Sequence, residues 1–131
     1  MYRLFILMLI SFAVSASTAR SQSVTEKDFR ILIDGKQYTD SVNSISIADL
    51  LKMQKVTANF SWITVKSIAI YYQPPFGETA LQICTADSIC NDAKELIKKF
   101  KPGYLFGISA DEAVNRQGAR IYIKDVFFRI K

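Results

Sequence analysis

A chain of 131 residues, half of them hydrophobic, is long enough for one domain with a modest core. It contains no histidine and two cysteines, which excludes Ser-His-Asp and Cys-His nucleophilic sites and leaves a zinc set short of ligands. The net charge of +5 is mild, and its lysines and arginines are scattered, so they read as solvated surface and not as a nucleic-acid footprint.

The chain opens with the signature of export. Arg3 is followed by an apolar run, Leu4 to Ile10 and Phe12 to Val14, and then by the small residues Ser15 to Ala19. A positive start, a short apolar stretch and a small-residue exit define a cleavable signal peptide over residues 1–19, cut after Ala16 or Ala19. The apolar run holds roughly a dozen residues, whereas a membrane span needs about 20. The expected product is an exported chain, periplasmic or secreted, with no stable membrane insertion after cleavage. Loss of Arg3 leaves sixteen basic residues against twelve acidic, a net charge of +4.

Residues 20–27 are polar and read as a flexible segment ahead of a single domain, 28–131. Phe29, Ile31 and Ile33 alternate with polar or outward positions, the period of a half-buried strand. Asp34-Gly35 signals a tight hairpin, with Lys36 to Thr39 as its return. Ser46 with Asp49 three residues later resembles a helix cap, and Ile47, Leu50 and Leu51 share a helical face, which predicts one short turn of helix. Two strands follow, Val56 to Trp62 and Val65 to Tyr72, the second with Ile68, Ile70 and Tyr72 on one side. Pro74 and Pro75 end it, because neither can donate to a sheet ladder. Leu81 and Ile83 belong to a further short strand that reaches Cys84.

The segment after Cys90 carries the clearest helical pattern. Asp92 and Glu95 form a capping-box pair, Ala93, Leu96, Ile97 and Phe100 make one apolar stripe, and Pro102-Gly103 ends it, predicting a helix over about 92–101. Tyr104 to Ser109 reads as a strand, 110–119 as a polar turn region, and Arg120 to Lys131 as the longest strand. In that strand the apolar parity changes from Ile121 and Ile123 to Val126, Phe128 and Ile130, which predicts a bulge or bend near Lys124-Asp125. Short strands with frequent turns and one inserted helix point to a mainly β fold, an antiparallel β-sandwich with a helical insertion, and not an antibody-type domain, which would need two distant cysteines with a tryptophan between them.

Cys84 and Cys90 are close enough in sequence to form a disulfide in an oxidising compartment, and a pair of free thiols is the alternative. No cofactor or metal set is legible. Asp111-Glu112 is the one adjacent carboxylate pair, in a segment that reads as a solvated loop, and the chain has no phosphate-binding glycine motif. These absences favour a non-enzyme. Tyr71, Pro74, Pro75 and Phe76 make a candidate contact patch, since rigid rings lose little entropy on binding, but the favoured reading is that Tyr72 and Phe76 cover the end of the sandwich. Asn59-Phe60-Ser61 matches the N-glycosylation sequon.

The pattern Leu96-Ile97-Lys98-Lys99-Phe100-Lys101-Pro102-Gly103, a strand, a Gln117-Gly118 turn, Arg120-Ile121-Tyr122-Ile123 and a terminal Phe-rich strand resembles the C-terminal domain of the GldM/PorM family. That family serves gliding motility and type IX secretion in Bacteroidetes. The earlier half fits more loosely, through Gly35, the Ser46 to Leu50 segment and the Val65 to Ile70 strand. The resemblance implies an immunoglobulin-like domain that contacts envelope proteins without catalysis and brings no catalytic residues. A homo-oligomer is compatible with it, and so is a small secreted ligand-binding or inhibitor domain of the same type. The chain departs from the family in its cleavable leader and in the Cys84–Cys90 pair. A Bacteroidetes source would also make Asp40-Ser41-Val42 and Asp87-Ser88-Ile89 similar to that group's short O-glycosylation motif.

Intact mass spectrometry of the exported protein is expected to show a chain starting at Ser17 or Arg20. Recovery of a chain that still begins at Met1 would contradict the leader assignment.

Overall fold

The computed structural model describes residues 25–74 and 76–131. The expected leader at residues 1–19, residues 20–24 of the segment expected to be flexible, and Pro75 lie outside the described residues. The described residues form a mainly β structure of two sheets, consistent with a β-sandwich. The smaller sheet contains β1 (Ile31–Ile33), β2 (Lys36–Gln37) and β4 (Val56–Ala58), in the order β2-β1-β4. The larger contains β3 (Asn43–Ile45), β5 (Thr64–Gln73), β6 (Ala80–Cys84), β7 (Leu105–Val114) and β8 (Val126–Ile130), in the order β3-β8-β7-β5-β6. Pairing is antiparallel apart from β3 and β8, which run parallel.

The β1–β2 hairpin turns where the sequence places it. Asp34 and Gly35 have φ of 50° and 80°, the two positive values that a two-residue primed turn requires. Asp34 also anchors the hairpin to its neighbour. Its carboxylate accepts from the amides of Gln54 and Lys55, and its own amide donates to the Lys55 carbonyl at 2.8 Å. The segment just ahead is held as well. Thr25 to Asp28, of which all but Asp28 fall in the stretch the sequence reads as flexible, closes a short 3-10 turn over Glu26–Asp28, with the Thr25 amide donating to the Asp28 carboxylate.

Helix α1 spans Ile47–Lys52, and the Ser46 hydroxyl accepts from the Asp49 amide at its start. Leu50 is fully buried, with Ile47 and Leu51 half-buried beside it. Helix α2 spans Asn91–Ile97, shorter than the 92–101 read from the sequence. Its cap residue is Cys90, not Asp92, and Glu95 bonds forward to Lys98 at 2.8 Å instead of back to a cap. That bond holds the Glu95 carboxyl below its ordinary value. Phe100 remains buried beyond the last helical turn, so its place in the apolar stripe is kept.

Several strand boundaries differ from the pattern: β2 stops at Gln37 instead of Thr39, and β3 is a strand the pattern does not predict. β4 stops at Ala58, because Asn59 turns the chain: its side chain accepts from the Arg30 amide and donates to the Asp28 carbonyl, both at 2.9 Å. The sequon asparagine is thus a structural amide. β7 runs on to Val114, absorbing half of the expected turn region and leaving the turn at Asn115 to Gly118. The terminal strand begins only at Val126. Ile123 is buried, but from a segment outside the sheet, which explains the parity change without a bulge at Lys124-Asp125. Register shifts lie instead in the β5–β7 pair, on either side of Ser67. There the Ser67 hydroxyl donates to Asp111 at 3.3 Å, and Asp111-Glu112 sits in β7 and not in a loop.

The core is one hydrophobic cluster. β1 and β4 contribute Ile31, Ile33 and Val56 from one sheet; β5, β7 and β8 contribute Ile68, Ile70, Phe106, Ile108 and Phe128 from the other. The two helices add Leu50, Ala93 and Ile97. A run of rings crosses it: Tyr72 against Phe100, Phe100 against Phe106, Phe106 stacked on Phe128, and Phe128 edge-on to Tyr38. Cys84 and Cys90 are joined in a disulfide with Cα atoms 5.6 Å apart. The Cys90 amide also donates to the Cys84 sulfur at 3.1 Å. The end of β6 is thereby pinned to the start of α2. Among the described residues no helix is long and apolar enough to cross a membrane.

Candidate functional site

The five-stranded sheet has two faces, and the pairing registers assign every side chain to one of them. Directly opposed residues share a face. One row reads Gln82, Ile70, Ile108, Val126, and another Ala80, Tyr72, Phe106, Phe128; both point into the core. The intervening rows point outward: Leu81, Tyr71, Gly107, Phe127, then Ile83, Ala69, Ser109, then Gln73, Leu105, Arg129. A sheet with one solvated face ordinarily alternates polar residues outward. Here the outward rows are largely apolar.

The centre of this face is built on a glycine. Gly107 lies between Tyr71 and Phe127 in the same row, and the Tyr71 ring lies over it. A Cβ at position 107 would overlap that ring. The empty position lets the phenol lie flat across β7. There its ring meets Phe127 edge-on at 6.4 Å, and its hydroxyl donates to the Asp125 carboxylate at 2.5 Å. Burial, followed by that hydrogen bond and the charge of Asp125, raises the Tyr71 pKa far above its ordinary value. The phenol is therefore a fixed neutral donor, and its ring is a rigid part of the surface.

Around this centre the apolar side chains are open to solvent. Leu81 is 60% exposed and Ile83 44%. Phe76, in the loop between β5 and β6, is 93% exposed, and Tyr122, on the segment leading to Asp125, is 61% exposed. A shallow hollow of about 150 Å³ lies among Tyr71, Gln73, Thr79, Leu105 and Phe127, smaller than the several hundred Å³ of a small-molecule site. A second, more open hollow of about 390 Å³ is lined by Glu26, Ser109, Asp111, Arg120 and Tyr122. Arg120 donates there to the Asp111 carbonyl at 3.0 Å.

Of the four residues read as a contact patch, Phe76 is fully presented, Pro74 is half-buried, and Tyr71 is half-buried with its hydroxyl engaged. Pro75 lies outside the described residues. Of the two residues expected to cover the end of the sandwich, Tyr72 does so, stacking on Tyr104 and packing on Phe100, whereas Phe76 stands out into solvent. Leu81, Ile83, Leu105, Phe127 and Gly107 belong to the outer face and were missed as surface residues. Alternation in the sequence separates two faces of a strand but does not say which one meets the second sheet. One signal was present: a glycine inside an apolar strand marks close approach of a neighbouring group.

The Gly107–Tyr71 contact yields a stability test. Gly107→Ala is expected to cost about 1–3 kcal/mol in urea unfolding, the usual range for overpacking. In the double variant with Tyr71→Ala, the penalty for the added methyl should largely vanish, giving a coupling of at least about 1 kcal/mol. Strict additivity would contradict the contact.

No protein-family model matches this chain, and no curated protein matches it.

Proposed function

We propose that this chain is an exported, non-catalytic interaction module that contacts a protein of the cell envelope through the outer face of its five-stranded sheet. The observation that carries this reading is the outward apolar row of Leu81, Tyr71 and Phe127 about Gly107, together with the exposed rings of Tyr122 and of Phe76 in the β5–β6 loop. Contiguous exposed apolar surface marks an interaction site more often than it marks nothing, and aromatic anchors dominate such contacts. The hollow of about 150 Å³ beside Tyr71 and Phe127 fits this reading, being too small for a typical small-molecule site. The disulfide supports an oxidising destination.

The partner class comes from the resemblance to the C-terminal domain of the GldM/PorM family. We infer an immunoglobulin-like module of that kind, working in the periplasm or beyond it with secretion or gliding machinery. The alternative is a small secreted ligand-binding or inhibitor domain, which the same apolar face would serve.

Affinity capture from envelope extracts separates the two readings. Recovery of secretion-machinery components is the expected result; a soluble protease or a small ligand would replace it with the alternative. Phe76→Ser combined with Tyr122→Ser alters only exposed positions and should leave the melting temperature nearly unchanged. It is expected to weaken capture by about tenfold or more, the scale of losing an aromatic anchor. Undiminished capture by that variant would place the contact elsewhere.

A further inference from the structure

β6 is an edge strand without the usual protection. In the order β3-β8-β7-β5-β6 it has β5 on one side and, among the described residues, no strand on the other. An edge presents a row of free amides and carbonyls, and natural sheets blunt such edges with lysine, proline, bulges or a covering element. Ala80-Leu81-Gln82-Ile83-Cys84 contains no charge and no proline. Its register with β5 is unbroken from Cys84 back to Ala80. The opposite edge is managed differently. β3 has only three residues, and the loop before it is closed by bonds from Asn43 to Thr39 and Ser41.

We propose that β6 pairs antiparallel with β6 of a second copy of this chain, about a twofold axis at Gln82, so that two five-stranded sheets become one. The strand is complementary to itself in that register. Leu81 of each copy faces Ile83 of the other, twice over, and both residues already lie on the outer face, where they are exposed. Opposed apolar pairs of this kind are the stabilising unit of a sheet. Charge at the strand does not oppose a copy. The chain carries a net charge of +5, yet Thr79 to Ala86 has no charged residue. The register sets Glu78 opposite Ala86 and Asp87 opposite Gly77, so no like charges meet. One local bond must yield, the donation from Gln82 Nε2 to the Ile83 carbonyl at 3.2 Å. A five-residue pairing is small beside the roughly 1,200–2,000 Å² of a standard stable interface, so the dimer should be reversible and concentration-dependent. The backbone pairing uses the free edge, and its Leu81–Ile83 contacts take up only the margin of the face assigned to the envelope partner; self-association tests the edge and the Phe76/Tyr122 variant tests the face, so either assignment can fail without the other.

Sedimentation velocity on the exported protein over a concentration series provides the test. A monomer–dimer equilibrium is expected, and a monomer throughout overturns the proposal. Ile83→Lys and Leu81→Glu, both at exposed positions, should each raise the dimer dissociation constant about tenfold or more. Mixing the two variants should restore association, because position 83 of one copy faces position 81 of the other. A dimer indifferent to both substitutions, or no rescue on mixing, overturns the register and the site. Should either variant lose its far-ultraviolet circular dichroism, the wild type decides. Amide exchange at residues 81–83 must slow as dimer forms, and unchanged exchange there overturns the pairing, as does slowing that appears only when a different protein is added.

Discussion

The ladder between β5 and β7 is the interaction on which the rest of this structure depends. Both strands are ten residues long, and they pair along almost their whole length. β6 attaches to one side of this pair, and β8, with β3 beyond it, to the other. The inner residues of the pair, Ile68, Ile70, Phe106 and Ile108, are fully or almost fully buried and form the floor on which the small sheet and both helices rest. The outer residues of the same pair supply Tyr71 and Gly107. One ladder therefore sets both the core and the surface, and the two are linked because a strand cannot shift by one residue without exchanging its faces.

Much of the fold is legible in the residues. Asp34-Gly35 demanded positive φ at two successive positions and obtained it. Ser46 caps α1 through Asp49 as its spacing implied. The cysteines, which the sequence left open between bridge and free thiols, are joined. What was not legible has physical causes. α2 starts one residue early because Cys90, tied to β6, sets the turn, and the Asp92 side chain is not needed as a cap. Strand β8 is short because Ile123 reaches the core from outside the sheet, something a period-two pattern cannot represent. Asn59 ends β4 through long-range bonds to Arg30 and Asp28, partners about thirty residues away that no local pattern reveals.

The candidate surface shows the same limit more sharply. Phe76 was visible as an aromatic beside prolines, and it is the most exposed large side chain of that region. Leu81 and Ile83 were visible only as strand residues, with nothing to say that their face is open. Tyr71 was read as a contact residue, and its role is more specific. Its ring rests on Gly107 and its hydroxyl is held by Asp125, so it stiffens the face it belongs to. A rigid aromatic platform among exposed aliphatic side chains suits recognition of a partner with little loss of freedom on binding. A pinned disulfide and an apolar sheet face together support the proposal of a domain whose work is contact.

The most direct measurement of this account is hydroxyl-radical footprinting of the folded, disulfide-bonded protein, read residue by residue. It reports which face of the five-stranded sheet meets solvent. Strong modification of Phe76, Leu81, Ile83 and Tyr122, with Ile70, Phe106 and Phe128 silent, is the predicted result. Modification of Ile70 and Phe128 at rates like those of Leu81 would contradict it, because the sheet would then present the opposite face and the proposed contact surface would not exist.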